Sequence, residues 1–178
     1  MKKSVYLFLL LFLIPCHKGD SFVLSNKNIR MITYYDMIKE RKEYIKTQDF
    51  DYGLFVEYLE LINVRNRNIV ISQSILESNW FSSDIFLKNN NLFGMKQARV
   101  RETTAIGTNR NHAKYEHWTH SVEDYKLWYD YVTRKREYVN YFCFLTAMGY
   151  AEDPYYIPKL KQIKNELISN EYLLAYEN

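Results

Sequence analysis

Apolar and polar positions alternate with a helical period along most of this chain. Ile32, Tyr35, Ile38 and Ile45 recur near helical spacing, and Lys and Arg gather in the later turns, so a helix is predicted over 29–46. Asp49 or Asp51 can cap a second helix that carries Leu54, Phe55, Tyr58, Leu59 and Ile62. The polar run 64–68 breaks it. A third helix follows, with Ile69, Val70, Ile75 and Leu76 on one stripe, and ends near Glu77. Ser82 or Ser83 can cap a short helix over 84–88, and Asn89-Asn90-Asn91 reads as a turn, because Asn tolerates left-handed backbone. Gly94 is placed to let the backbone pass close to another group.

Period-two patterning occurs once. Residues 97–106 and 109–117 are predicted to form a hairpin around Gly107-Thr108. Ser121-Val122-Glu123-Asp124 has the form of a capping box and should open a long helix through Tyr138, with Tyr125, Trp128, Tyr129 and Val132 on one face. A short apolar helix over 140–148 is closed by Gly149. Asp153-Pro154 then caps a final helix, which starts there or at Pro158 and runs to about Tyr172. About seven helices and one hairpin make a mainly α (α+β) fold.

The N-terminus stands apart. Lys2-Lys3 precedes an unbroken apolar run from Val5 to Ile14, too short to span a bilayer as a helix and suited to a signal-peptide core. The expected organisation is a signal peptide over 1–20, a polar tether over 21–28 and one domain over 29–175. Leu13-Ile14-Pro15-Cys16 resembles a lipoprotein signal in which Cys16 would be lipidated, although Pro15 stands where that pattern prefers Gly, Ala or Ser. Simple secretion is the competing reading. Both place the protein in the cell envelope or periplasm, membrane-anchored only in the first.

Composition narrows the function. Of the +3 formal charge, two units come from Lys2 and Lys3, so the domain is nearly neutral, and no basic stripe with interleaved aromatics argues for nucleic acid. Aromatics make up 17% of the chain, 17 residues of it Tyr. Such residues serve as core, or line a groove in which rings stack on pyranose faces and hydroxyls bind sugar hydroxyls. Cys143 lies in the apolar run 141–145 and is expected to be a buried structural cysteine. The spacing of His112, His117 and His120 matches no zinc pattern.

Glu77 is the residue with the clearest chemistry. It follows an apolar pair at the end of a predicted helix, so partial desolvation and the negative end of the helix dipole both raise its pKa. That is the environment of a general acid working near neutral pH.

Ile75-Leu76-Glu77-Ser78-Asn79-Trp80, then Ser82-Ser83, then Asn90-Asn91-Leu92-Phe93-Gly94-Met95-Lys96, resembles the signature of the bacterial glucosaminidases that cut peptidoglycan, glycoside hydrolase family 73. Gly149-Tyr150-Ala151-Glu152-Asp153-Pro154-Tyr155-Tyr156 resembles that family's closing motif. The two matches span about half the chain in the family's order. The resemblance implies a lysozyme-like architecture, with a helical lobe and a small β lobe flanking a groove. It implies that Glu77 is the acid and that an acidic residue faces it from the β lobe. Glu102 is the first candidate for that second carboxylate and Glu116 the next; the third option is attack by the substrate's own N-acetyl group. Tyr150 is implied to face the active site and hydrogen-bond the N-acetyl group. Asn91 and Phe93, which match the motif's Asn and Phe, are expected to bind substrate, mainly by shaping the groove floor and with Asn91 touching sugar, and Tyr115 and Trp118 are the further aromatic candidates for substrate binding. Asp153 reads as a helix cap.

The expected function is thus an exported β-N-acetylglucosaminidase acting on peptidoglycan glycan strands, as a monomer that needs no metal or organic cofactor. The alternatives are a non-catalytic cell-wall glycan-binding or scaffold module, a lytic transglycosylase using a single Glu, and an endoglycosidase acting on glycoproteins.

Overall fold

A computed structural model describes residues 26–134, 138 and 140–176. The signal segment, Cys16 and the first part of the tether lie outside the described residues. The chain divides into two compact units, Met1–Asp36 and Met37–Asn178. The first contributes the opening turns of helix α1 (Asn26–Ile45), so residues 26–28, expected in the tether, are already helical. Everything below concerns the second unit.

Among the described residues there are seven helices and a two-stranded antiparallel sheet, a mainly α fold with one small hairpin. The central element is α3 (Arg67–Glu77), which packs against α7 (Tyr156–Tyr176) and α2 (Tyr52–Leu61). Ile69 through Ile75 are all buried, so α3 is enclosed on every side rather than along one stripe. The enclosure traps three polar side chains, and each finds a partner. Ser72 Oγ donates to the Asn68 carbonyl, Ser74 Oγ to the Ile71 carbonyl, and Gln73 bonds two tyrosines.

Side-chain caps set several helix starts. Asp51 accepts from the Leu54 N–H at 2.9 Å and opens α2. Ser83 accepts from Phe86 and opens α4 (Asp84–Asn89); Asn140 accepts from Cys143 and opens α6 (Tyr141–Ala147). α5 (Trp118–Thr133) starts three residues before the predicted capping box, with His117 as its cap. Ser121 is buried and its Oγ accepts from the Leu92 N–H at 3.0 Å, so the hydroxyl serves a distant loop instead of its own helix. Phe144 and Leu145 take the buried positions of α6, which leaves Cys143 exposed and corrects its expected place in the core.

The hairpin is shorter than expected and turns elsewhere. β1 (Gly107–Asn109) pairs with β2 (His112–Lys114) in the register Gly107↔Lys114, Thr108↔Ala113, Asn109↔His112. The turn is therefore Arg110-Asn111, both at positive φ (52° and 60°), as a two-residue type I′ connection needs. Residues 97–106 form no strand. The three consecutive asparagines fix this hairpin to the helical body. Asn89 Nδ2 donates to the Asn109 carbonyl, Asn90 Nδ2 to the Tyr115 and Glu116 carbonyls, and Asn91 Nδ2 to the Met95 and Ala113 carbonyls. Each neighbouring chain segment thus completes its backbone bonds through an amide side chain.

An aromatic core holds the other end together. Phe50, Phe55, Tyr58 and Trp118 meet edge-on or tilted at centroid distances of 5.6 to 6.4 Å.

Candidate active site

The last residue of α3 is Glu77, and its side chain lines a cleft of about 570 Å³. One wall is the turn Phe93-Gly94-Met95 with the following segment, including Lys96, Arg99 and Arg101. The lining also includes Trp128, Tyr131 and Val132 of α5 and Gly149, Tyr150 and Glu152 after α6. The desolvation of Glu77 follows from its place at the end of α3. The same apolar surround that encloses Ile75 also removes water from Glu77.

That desolvation pushes the Glu77 carboxyl above the ordinary carboxylate range. The Tyr156 hydroxyl, which donates to Oε1 at 2.8 Å, pulls the other way, as does the charge of His112 on β2. Burial is the larger effect, so the carboxyl is held toward its protonated form. Behind it lies a chain of buried hydrogen bonds. Gln73 Nε2 contacts the Tyr156 hydroxyl at 3.4 Å, and the Tyr125 hydroxyl donates to Gln73 Oε1 at 2.6 Å. The Tyr141 hydroxyl meets that of Tyr125. Burial raises the pKa of Tyr125, Tyr141 and Tyr156, so all three stay neutral.

Gly94 presses against the other carboxylate oxygen. A Cβ there would stand 3.0 Å from Glu77 Oε2, and φ is +61°, a backbone state that side chains disfavour. The turn itself is held by Asn91, whose Oδ1 accepts from the Phe93 and Met95 N–H groups, and by Tyr150, whose hydroxyl donates to the Phe93 carbonyl at 3.2 Å.

Of the residues expected in the site, the structure brings Glu77 and Tyr150 together on the cleft; Phe93 borders it, but its ring is buried and stacked on Tyr125 at 4.3 Å, so it shapes the turn and offers a sugar no face. Asn91 is buried one step behind, fully used in shaping the turn. Three lie elsewhere. Glu102 is exposed, in the irregular segment before β1, and does not line the cleft. Tyr115 is buried with its hydroxyl donating to Asp124 Oδ2 at 2.8 Å. Trp118 is buried in the aromatic core with Nε1 donating to the Gln48 carbonyl. These rings are structural because their polar atoms are already satisfied inside the protein. Glu116 and Asp153 are exposed; Asp153 Oδ1 accepts from the Tyr155 N–H and Oδ2 binds Lys159.

Two residues were not singled out from the sequence. Glu152 is the second acid on the cleft wall among the described residues. Tyr156 is the direct partner of Glu77, from a position 79 residues away. Both belong to the closing motif that contains Tyr150.

The sequence model of the family described as mannosyl-glycoprotein endo-beta-N-acetylglucosaminidase matches residues 52–169. That range contains α2 to the middle of α7 and every cleft residue named above. No curated protein and no solved structure matches the chain.

Proposed function

The chain belongs to the glucosaminidase family, and from that premise we propose that it is an exported hydrolase that cuts peptidoglycan glycan strands at N-acetylglucosamine, with Glu77 as general acid. The observation that carries this reading is the desolvated Glu77 carboxyl lining an open cleft, its pKa raised toward the working range of an acid. A glycosidic oxygen leaves only if it is protonated as the bond to the anomeric carbon breaks. A carboxyl kept neutral by burial supplies that proton, and the groove gives a glycan strand room to lie across it.

Glu152, exposed on the same cleft, is the acid placed to activate water or stabilise the oxocarbenium-like centre. Glu102 is a poorer choice on these positions. The Val5–Ile14 apolar run supports export, and Cys16 supports a lipid anchor. A second reading, single-acid chemistry of the lytic-transglycosylase kind, is favoured by one feature: among the described residues Glu77 is the one cleft carboxylate residue that is not exposed.

Incubation with purified peptidoglycan and mass spectrometry of the products tests these readings. Reducing N-acetylglucosamine ends from the wild type, lost in Glu77→Gln and reduced in Glu152→Gln but not in Glu102→Gln, support the proposal. Anhydro-sugar ends move the assignment to the second reading. Tight binding without any new ends makes the protein a glycan-binding module.

A further inference from the structure

We infer that Tyr156 and Gln73 are positioning residues that decide which oxygen of Glu77 carries the proton: Oε1 accepts from Tyr156, and the proton is held on Oε2, beside Gly94 and facing the cleft. This inference rests on the reading of Glu77 as the acid.

The argument is the polarity of the buried hydrogen-bond chain. A neutral tyrosine has one hydrogen to give. The 2.6 Å contact between Tyr125 and Gln73 suits oxygen facing oxygen, and the 3.4 Å contact to Tyr156 suits the longer reach of an amide nitrogen. Gln73 therefore presents Oε1 to Tyr125 and Nε2 to Tyr156. Tyr125 spends its hydrogen on Gln73, so at the Tyr141 contact it accepts. Tyr156 receives from Gln73 and spends its own hydrogen on Glu77 Oε1. Every donor in the chain then points toward the carboxyl. Oε1 has a donor aimed at it, and the carbonyl-type oxygen of a neutral carboxyl is its stronger acceptor, so the proton belongs to Oε2.

The far side agrees. Gly94 lines the cleft and lacks the Cβ that would crowd Oε2. When the proton passes from Oε2 to the glycosidic oxygen, the broken C–O pair leaves on that oxygen as a new hydroxyl. Water then adds its oxygen to the anomeric carbon and releases one proton, which restores the acid. The carboxylate formed in between keeps the Tyr156 hydrogen bond, now charge-assisted and stronger. Tyr156 thus favours the step it orients.

Other titratable groups face Glu77. The charge of Glu77 bears on Tyr150, from the turn after α6, and His112 from β2 bears on Glu77. Lys96, Arg99, Arg101 and Glu152 stand on the cleft walls. All are unchanged by a Tyr156→Phe substitution, so the difference between variant and wild type isolates one hydroxyl.

The test is the titration of the Glu77 carboxyl in the full chain, followed by carboxyl carbon NMR and assigned by its absence in Glu77→Gln. Removing a donor to the charged form must raise the pKa. In Tyr156→Phe the Glu77 titration and the alkaline limb of the pH–rate profile are expected to move to higher pH, with kcat down roughly tenfold, the size of a lost hydrogen bond to a charged group. Tyr125→Phe, which keeps the ring and loses the donor to Gln73 together with the acceptor for Tyr141, should shift the titration the same way by less. If the chain ran in reverse, Glu77 would donate to Tyr156, and the same substitution would lower the pKa; a downward shift or none overturns the inference. The readout separates the two proposals. An upward shift in a protein that cuts no glycan keeps the positioning and sinks the hydrolase. A downward shift in an active one does the opposite.

Discussion

Replacing Gly94 with alanine tests the geometry of the acid most directly. Two effects act at once. The residue sits at φ +61°, and a non-glycine residue in this left-handed region loses about 1–2 kcal/mol. The added Cβ would also stand 3.0 Å from Glu77 Oε2, closer than such contacts normally come. The carboxyl has little freedom to retreat, because Oε1 is held at 2.8 Å by Tyr156 and the backbone is the last turn of α3. It must swing by a few tenths of an ångström and stretch that hydrogen bond. Misplacement on the ångström scale near reacting atoms lowers rates by up to about a hundredfold, so a loss of about tenfold in kcat is expected for this smaller displacement. Gly149→Ala supplies the control. Gly149 has a similar φ of +56°, and a Cβ there meets nothing within 4 Å. Both variants should lose about 1–2 kcal/mol in urea denaturation, and only Gly94→Ala should move the Glu77 titration, upward because the new methyl group excludes more water. Equal stability losses together with an unmoved Glu77 titration and full kcat in Gly94→Ala would refute the claim that this glycine is kept for the carboxyl beside it.

Two further outcomes follow from buried charge. The folded chain holds a proton on Glu77 over a window where the unfolded chain has lost it, so stability falls as pH rises from the ordinary carboxylate pKa through the raised folded value. Glu77→Gln should therefore match the wild type near about pH 3 and exceed it at neutral pH, by about 1.4 kcal/mol for each unit of elevation, as read from urea midpoints. The bidentate ion pair of Arg101 with Asp124, 7% and 0% exposed, ties the segment before β1 to α5. Arg101→Ala leaves a buried carboxylate unpaired and should lose about 3–5 kcal/mol, whereas adding Asp124→Asn should restore part of that loss in the same assay.

The helical framework was legible because its signals are local. The caps at Asp51 and Ser83, the period of α2, and the apolar run of α6 lie within a few residues of the elements they define. The desolvated carboxyl of Glu77 was legible for the same reason, since it is the last residue of an enclosed helix. What failed is what depends on distant partners. Ser121 has the sequence of a capping residue, yet its hydroxyl is claimed by Leu92, 29 residues away. Glu102 is the natural choice for a second carboxylate if residues 97–106 form a strand. The neighbouring Arg101 instead turns inward to Asp124 and donates to the Glu102 carbonyl at 2.7 Å, which fixes the backbone there outside any ladder.

The hairpin shows why register was out of reach. Gly107-Thr108 looks like a turn by composition, whereas the turn that forms requires two consecutive left-handed residues, supplied by Arg110-Asn111. The choice is made by the helical body, because Asn89 exchanges bonds with both the amide and the carbonyl of Asn109 and so pins that residue as the end of β1. Moving the turn to Gly107-Thr108 would break both bonds and leave the Asn89 amide buried without its partners, at a penalty of about 1–3 kcal/mol for each group left unmade. The same reasoning explains Asn91: the site needs it as the clasp of the Phe93–Met95 turn, which sets Gly94 against Glu77, and not as a hand on the sugar. In this chain the short polar residues around the acid are used up in holding backbone. The cleft surface left free for a glycan is therefore made of Val100, Trp128, Tyr131, Met148 and Tyr150 with the charged residues that line it.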